Sequence, residues 1–117
     1  MIYIRSSRTW IFMLYIILII CISSMTANEL SSFNFLWKYD KAIHFLEYLG
    51  VGFLLINMLM IQPLKKKHWR FAIMFLLLFP IIDEMLQHFT PNRIPDIYDA
   101  IVDVFGGLFG AYIRRKI

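Results

Sequence analysis

The chain has 117 residues, of which 60% are hydrophobic, 17% aromatic and 17% charged. A soluble domain of this size carries about 25% charged residues and has too little interior to bury so much apolar surface, so the composition favours a membrane protein. The net charge of +4 does not indicate a nucleic-acid partner, because the cations form short clusters beside apolar runs rather than one continuous basic face.

Four apolar segments are long enough to cross the hydrocarbon of a bilayer as helices. The first covers residues 10–25, and we interpret it as a retained span because the residues after it form a poor signal-peptidase site. The others cover residues 42–61, 71–89 and 97–113, and each contains polar residues within the apolar run. The sequence therefore predicts one all-α membrane domain over residues 1–117, an integral bundle of four transmembrane helices.

The basic residues orient this predicted bundle. They cluster before the first span, in the loop between the second and third spans, and at the end of the fourth. Cytoplasmic loops of membrane proteins are enriched in Lys and Arg. Because an even number of spans also returns the chain to the side on which it began, both termini are predicted to lie in the cytoplasm.

With this orientation, the acidic residues inside the spans collect in the outer half of the bundle. A carboxylate in hydrocarbon costs at least ~2.5 kcal/mol, so we expect these groups to face one another around a chamber open to the cell exterior. Gly106 and Gly110 have the small-xxx-small spacing of close helix packing, which turns the acidic face of the last span toward its neighbours. The candidate catalytic residues are His44, Glu47, Asp83, Glu84, Asp99 and Asp103.

Carboxylates and a histidine brought together in this way can divide acid and base roles, with His44 or Glu84 as the first choice of base. Arg93 follows in the short third loop and has the chemistry to hold a phosphate or carboxylate. Histidine and glutamate at one-turn spacing also suit a divalent ion, but such short spacings alone do not define a site. No metal ligands are assigned, and the sequence names no cofactor.

Two stretches, DKAIHFLEYLGVGFLL and DEMLQHFTPNRIPDIYDAIVDVFGGLFG, carry a recognisable pattern. It consists of D-K-x-x-H-x-x-x-Y opening one helix, D-E-x-x-Q near a helix end, an Arg after a Pro-containing turn, and D-x-x-x-D-x-x-G on the last helix. In order and spacing, residues 36–113 resemble the VanZ-like family of small bacterial membrane proteins. The matching residues are Asp40, Lys41, His44, Tyr48, Asp83, Glu84, Gln87, Arg93, Asp99 and Gly106.

The resemblance adds expectations that the residues alone do not give. It implies a multi-pass protein of the bacterial cytoplasmic membrane, and a link to susceptibility to the glycopeptide teicoplanin, with which the founding member is associated. Asp103 stands where the family commonly has Asn, which adds a charge to the site. The residues expected to bind substrate are Lys41, Tyr48, Gln87 and Arg93.

Three functions fit these observations. The first is an enzyme that acts on a lipid-linked or cell-wall substrate at the outer leaflet. The second is a non-catalytic protein that captures an anionic envelope lipid or an antibiotic. The third is a small proton-coupled transporter, for which four helices would require a homodimer. The expected partners are membrane lipids and an anionic or lipid-linked envelope precursor, and the sequence does not specify an oligomeric state.

Overall fold

The computed structural model describes residues 5–23, 40–89 and 97–117. Within these residues the regular structure consists of four helices: α1 (Ser7–Ser23), α2 (Asp40–Leu59), α3 (Lys66–Phe89) and α4 (Ile97–Lys116). The predicted all-α class is confirmed for this part of the chain. The helices overlap the predicted spans, although α3 begins at Lys66 rather than at residue 71 and α4 continues to Lys116.

The central element of the bundle is α2, which contacts α1, α3 and α4. Tyr48, Val51 and Leu55 recur at three- and four-residue spacing, so they lie on one helical face and are fully buried. This face forms the hydrophobic core with residues of the neighbouring helices, among them Leu76 of α3 and Ala111 of α4.

The contact between α2 and α4 is the most extensive in the bundle, and glycines make it close. A Cβ atom added to Gly106 would lie 2.4 Å from the carbonyl oxygen of Phe45. One added to Gly110 would lie 2.0 Å from the carbonyl oxygen of Leu49. Because both pairs advance four residues in the same direction, α2 and α4 run parallel, with their backbones in direct contact. These contacts fix the register between the two helices.

The outer surfaces of the helices are apolar, whereas several ionisable groups are buried. Leu78 of α3 is 51% exposed and Phe105 of α4 is 63% exposed, while Asp103 of α4 is 0% exposed. In water-soluble proteins, fully buried Asp residues are rare unless they are paired. Contiguous patches of exposed apolar side chains on such proteins are usually small. The surface of this bundle is therefore suited to an apolar surrounding.

By length and composition, the stretch Lys41–Leu59 of α2 is the one helix among the described residues that is long and apolar enough to cross a membrane. The stretch Ser7–Ile22 of α1 is apolar but shorter. In α4 the apolar run is interrupted by Asp99 and Asp103, whose side chains point into the bundle.

One end of the bundle gathers cationic side chains from several helices. The guanidinium of Arg8 on α1 donates to the backbone carbonyl of Asn57 (3.2 Å), and Arg114 Nε on α4 donates to the Asn57 side-chain oxygen (2.9 Å). The chain then leaves α2 at this end and enters α3 through consecutive lysines. We call this region the basic end. It brings the three cationic clusters of the sequence to one side of the molecule.

A buried histidine organises the turn into α3. Lys65 N–H, immediately before the helix, donates to His68 Nδ1 (2.9 Å), and the Gln62 side-chain amide lies 3.1 Å from His68 Nε2. His68 thereby takes the place of the Glu or Gln of a capping box, in which the third helical residue accepts from the residue before the helix. Accepting at Nδ1 requires a neutral ring.

This turn is expected to weaken in acid. Burial, followed by the nearby charges of Lys67 and Lys65, lowers the pKa of His68 below its ordinary value of 6.5. The unfolded chain therefore takes up this proton at higher pH than the folded chain does, so the contribution of His68 is complete above about pH 6.5 and is lost as the pH falls further. We expect the free energy of unfolding to decline from pH 7.5 to pH 5.5.

The His68→Gln variant separates this effect from the titration of other groups, because Gln can accept the same hydrogen bond without titrating. Its unfolding free energy, measured over the same pH range, is expected to fall less steeply than that of the wild type. Identical slopes for the two proteins would show that His68 does not carry the pH dependence.

Candidate functional site

A cluster of ionisable side chains lies at the end of the bundle opposite to the basic end. Lys41, His44 and Tyr48 occupy one face of α2, because their spacing of three and four residues matches the helical repeat. Asp99 and Asp103 are one turn apart on α4 and, like His44 and Tyr48, are buried. The polar cluster, as we define it here, consists of Lys41, His44, Tyr48, Asp83, Asp99 and Asp103.

The parallel register of α2 and α4 pairs the cations of one helix with the carboxylates of the other. Lys41 Nζ forms a salt bridge with Asp99 Oδ1. His44 Nδ1 lies 2.9 Å from Asp103 Oδ1, and His44 Nε2 lies 3.7 Å from Asp99 Oδ2. The imidazole thus stands between two carboxylates, one at each ring nitrogen.

The third helix joins the cluster through a tyrosine. The Tyr48 hydroxyl donates to Asp83 Oδ2 of α3 (2.8 Å), and both side chains are buried. The Tyr48 ring packs at 5.8 Å, centroid to centroid, against the ring of Phe79 on the same helix as Asp83. The Tyr48 hydroxyl therefore provides a hydrogen bond to the buried Asp83 side chain, while the Tyr48 ring is part of the hydrophobic core.

Accessibility rises steadily through the cluster. The Asp103 side chain is 0% exposed, those of Asp99 and His44 are 7% and 10% exposed, and that of Lys41 is 47% exposed. Asp103 Oδ2 is buried and has no hydrogen-bond partner in the described part of the chain. A ligand from outside would therefore meet Lys41 and Asp99 first, while Asp103 lies behind them and holds the imidazole.

This geometry defines what the cluster can do chemically. A carboxylate at His44 Nδ1 sets the tautomer and orientation of the ring, as in acid–base pairs of enzymes, so Asp103 acts as a positioning residue. The other ring nitrogen faces Asp99, which Lys41 neutralises. A water or substrate hydroxyl that bridges His44 Nε2 and Asp99 Oδ2, which lie 3.7 Å apart, would have the imidazole as its base and the Lys41–Asp99 pair as its charge partner.

An apolar groove with a polar edge lies beside this cluster, between α3 and α4. It has a volume of about 480 Å³. Glu84 and His88 line it, one turn apart on α3, together with Ala100, which follows Asp99 on α4. Most of the remaining lining is apolar, namely Ile81, Met85, Phe89 and Ile97. The groove can accept a hydrocarbon chain alongside a polar group.

The other predicted site residues lie as follows. Gln87 of α3 is buried, on the same helix face as Asp83. Glu47 is half-buried, and its backbone carbonyl accepts from the Tyr15 hydroxyl of α1 (2.6 Å). Arg93 lies outside the described residues. The described residues contain no group of three or more His, Cys, Asp or Glu side chains arranged to hold a metal ion.

The sequence assigned Lys41 and Tyr48 to substrate binding, whereas the structure gives each an aspartate partner, Asp99 and Asp83 respectively. Their helical faces could be read from spacing, but their partners depend on how α2 is rotated and shifted against α3 and α4. The groove beside Glu84 was not predicted, because its walls come from two helices whose contact the sequence does not specify.

Removing the Tyr48 hydroxyl should destabilise the fold more than removing an equivalent hydroxyl elsewhere. Tyr48→Phe keeps the ring packing but removes a hydrogen bond to a buried carboxylate, which we expect to lower the free energy of unfolding by roughly 1.5–3 kcal/mol. Tyr15→Phe is the matched control, since its hydroxyl donates to a neutral backbone carbonyl. Unfolding of both variants in mixed micelles measures the difference, and equal losses would contradict the role of Asp83 as a charged acceptor.

A known protein family matches the part of the chain that contains these residues. The family model described as VanZ/LLP1 matches residues 6–116. The chain belongs to the VanZ/LLP1 family. The VanZ/LLP1 match extends beyond the resemblance over residues 36–113 to include α1, and it contains every member of the polar cluster. No curated protein and no solved structure matches the chain at a significant level.

Proposed function

We propose that this VanZ/LLP1 protein spans the bacterial cytoplasmic membrane with all four helices, with both termini in the cytoplasm and the polar cluster at the outer face. The exposed apolar side chains of α1, α3 and α4 support this placement, because they would contact lipid directly. The basic end supports the orientation, since Lys and Arg are enriched on the cytoplasmic side of membrane proteins.

The polar cluster is proposed to bind and transform the polar part of a lipid-linked cell-envelope substrate. The observation that carries this proposal is the burial of Asp99, His44 and Asp103 together inside a bundle whose outer surface is apolar. Ionisable residues in membrane segments are costly, and they generally mark a functional site. The adjoining groove, with Glu84 and His88 at its edge, would hold a lipid chain of the same substrate.

In this mechanism, Lys41 binds a phosphate or carboxylate of the substrate and frees Asp99 for a water or hydroxyl group. His44, oriented by Asp103, takes the proton of that water or hydroxyl group at Nε2 while the oxygen attacks the phosphoryl or acyl centre of the substrate. The bond from that centre to its leaving group breaks, and His44 returns the proton to the leaving group. Capture of the lipid without turnover is the second candidate, and the pairing of Lys41 and His44 favours it, since both side chains already have carboxylate partners without a substrate. Changed susceptibility to teicoplanin would follow from either function, through an altered envelope.

Lipid analysis of cells with and without the gene tests the proposal. Envelope lipids and lipid-linked precursors are compared in cells that express the wild type, Asp99→Asn, Glu84→Gln or, as a control, Lys66→Gln, which changes an exposed residue at the basic end. We expect one lipid class to accumulate without the gene and in the Asp99→Asn strain, while the control resembles the wild type.

Purified protein distinguishes the two candidates. Catalysis predicts that Asp99→Asn turns over the identified lipid roughly 100-fold or more slowly than the wild type, because the variant loses the carboxylate that positions the water or hydroxyl group beside His44. Capture predicts stoichiometric binding by the wild type with no product. Envelope lipids and teicoplanin susceptibility that do not change on deletion would refute both.

A further inference from the structure

The basic end carries a second groove between α3 and α4, far from the polar cluster along both helices. Its walls are Trp69 and Ile73 of α3 and Leu108 and Tyr112 of α4, and its volume is about 180 Å³. This lining is almost entirely apolar. The groove is thus suited to a length of hydrocarbon rather than to a polar molecule.

Two cations stand over the aromatic walls of this groove. The Arg115 guanidinium lies 5.7 Å from the centre of the Trp69 ring, and Lys116 Nζ lies 5.7 Å from the centre of the Tyr112 ring. Cation–π contacts of this length orient the charged groups without neutralising them. Arg115 also lines a neighbouring depression of about 600 Å³ formed by residues 60–64 at the turn between α2 and α3.

Among the residues that the structure describes at this end, no carboxylate side chain balances the positive charge. Besides Arg8 of α1, residues 57–74 and 108–117 build this end, and they contain no Asp or Glu but contain seven Lys and Arg: Lys65, Lys66, Lys67, Arg70, Arg114, Arg115 and Lys116. Such a surface attracts an anion, and the depression beside Arg115 provides room for one. Charge and shape therefore place a depression suited to an anion directly next to an apolar groove.

We propose that this end of the molecule binds an anionic phospholipid of the cytoplasmic leaflet. The phosphate contacts Arg115 and Lys116, the rest of the headgroup occupies the depression at residues 60–64, and an acyl chain follows the groove between Trp69 and Tyr112. This inference rests on the membrane placement proposed above, but it concerns a site separate from the polar cluster. Basic pockets between helices on the cytoplasmic side have the chemistry to bind anionic headgroups.

Quenching of Trp69 fluorescence by brominated lipids tests this site. Trp10→Phe and Trp37→Phe leave Trp69 as the single tryptophan of the chain. The full-length protein is reconstituted in phosphatidylcholine bilayers that contain increasing mole fractions of either dibrominated phosphatidylglycerol or dibrominated phosphatidylcholine. We expect phosphatidylglycerol to quench at several-fold lower mole fraction than phosphatidylcholine.

Two substitutions test whether Arg115 and Lys116 cause the preference for phosphatidylglycerol over phosphatidylcholine. Arg115→Gln and Lys116→Gln are each expected to reduce it by roughly fivefold, the contribution of one cation near an anionic membrane surface. Arg5→Gln, which removes an exposed cation at the start of the chain, is the matched control and should leave most of the preference intact.

Each result decides a different point. Equal quenching by the two lipids in the wild type would overturn the proposed site while leaving the membrane placement standing. Equal effects of Arg5→Gln and Arg115→Gln would also overturn it, because a general surface charge would then explain the preference. If neither lipid quenches Trp69, the membrane placement fails as well.

Discussion

Gly52→Ala is expected to destabilise the protein more than any other addition of a single methyl group to a described glycine. The new Cβ would lie 1.8 Å from the carbonyl oxygen of Gly107 and 2.9 Å from the amide nitrogen of Ala111, both on α4. These are backbone atoms, so the clash can be relieved only by moving α2 away from α4. Overpacking costs typically ~1–3 kcal/mol, and we expect about 3 kcal/mol or more here.

The matched control for this prediction lies directly across the helix contact. A Cβ at Gly107 would meet Leu76 Cδ2 at 2.9 Å, and this is the end of a flexible side chain that can move. Gly107→Ala should therefore lower the free energy of unfolding far less than Gly52→Ala when both are measured in mixed micelles. Similar losses in the two variants would mean that backbone contact does not define the packing of α2 against α4.

His44→Leu is expected to cost about 3–5 kcal/mol, because it leaves the buried Asp103 side chain without the imidazole that it pairs with. Asp103 is 0% exposed, and the imidazole is the partner that the structure gives it. The carboxylate would have to take up a proton, admit water or force the helices apart. Each of these responses reduces the stability of the folded bundle.

The double variant His44→Leu, Asp103→Leu gives this prediction its sharpest form. Replacing both members of a buried pair by apolar residues is often close to neutral, so the double variant should be more stable than the His44→Leu single variant. His88→Leu, at an exposed position on α3, serves as the control and should change stability little. A double variant that is no more stable than the single one would show that the pair is not coupled.

Much of the architecture could be predicted from the sequence, because helices and their buried faces each have a simple signal in the residue pattern. Long apolar runs predict helices, and the positions of Asp99, Asp103, Gly106 and Gly110 on one stripe predict which face of α4 is buried. All four are buried against the bundle. The placement of the cationic clusters at one end also agrees with the prediction, since α1, α2 and α4 meet there around Asn57.

The sequence alone does not predict which side chains pair with each other within the site. Periodicity shows that His44 and Asp103 each lie on an inward face, but it does not show that they meet each other. That contact depends on the register set by Gly106 against Phe45, and a shift of one turn would pair different residues. The same limit explains why the bond between Tyr48 and Asp83 and the two grooves of α3 and α4 emerged only from the structure.

The two aspartates of α4 have a consequence for biogenesis in the bilayer placement that we propose. A nascent segment with Asp99 and Asp103 cannot partition into lipid unaided, since each carboxylate opposes insertion by at least ~2.5 kcal/mol. Lys41 and His44 of α2 offset that opposition once the segments lie side by side. In this placement, α4 would insert into the membrane only after α2 is in place, because α2 supplies the partners of its two aspartates.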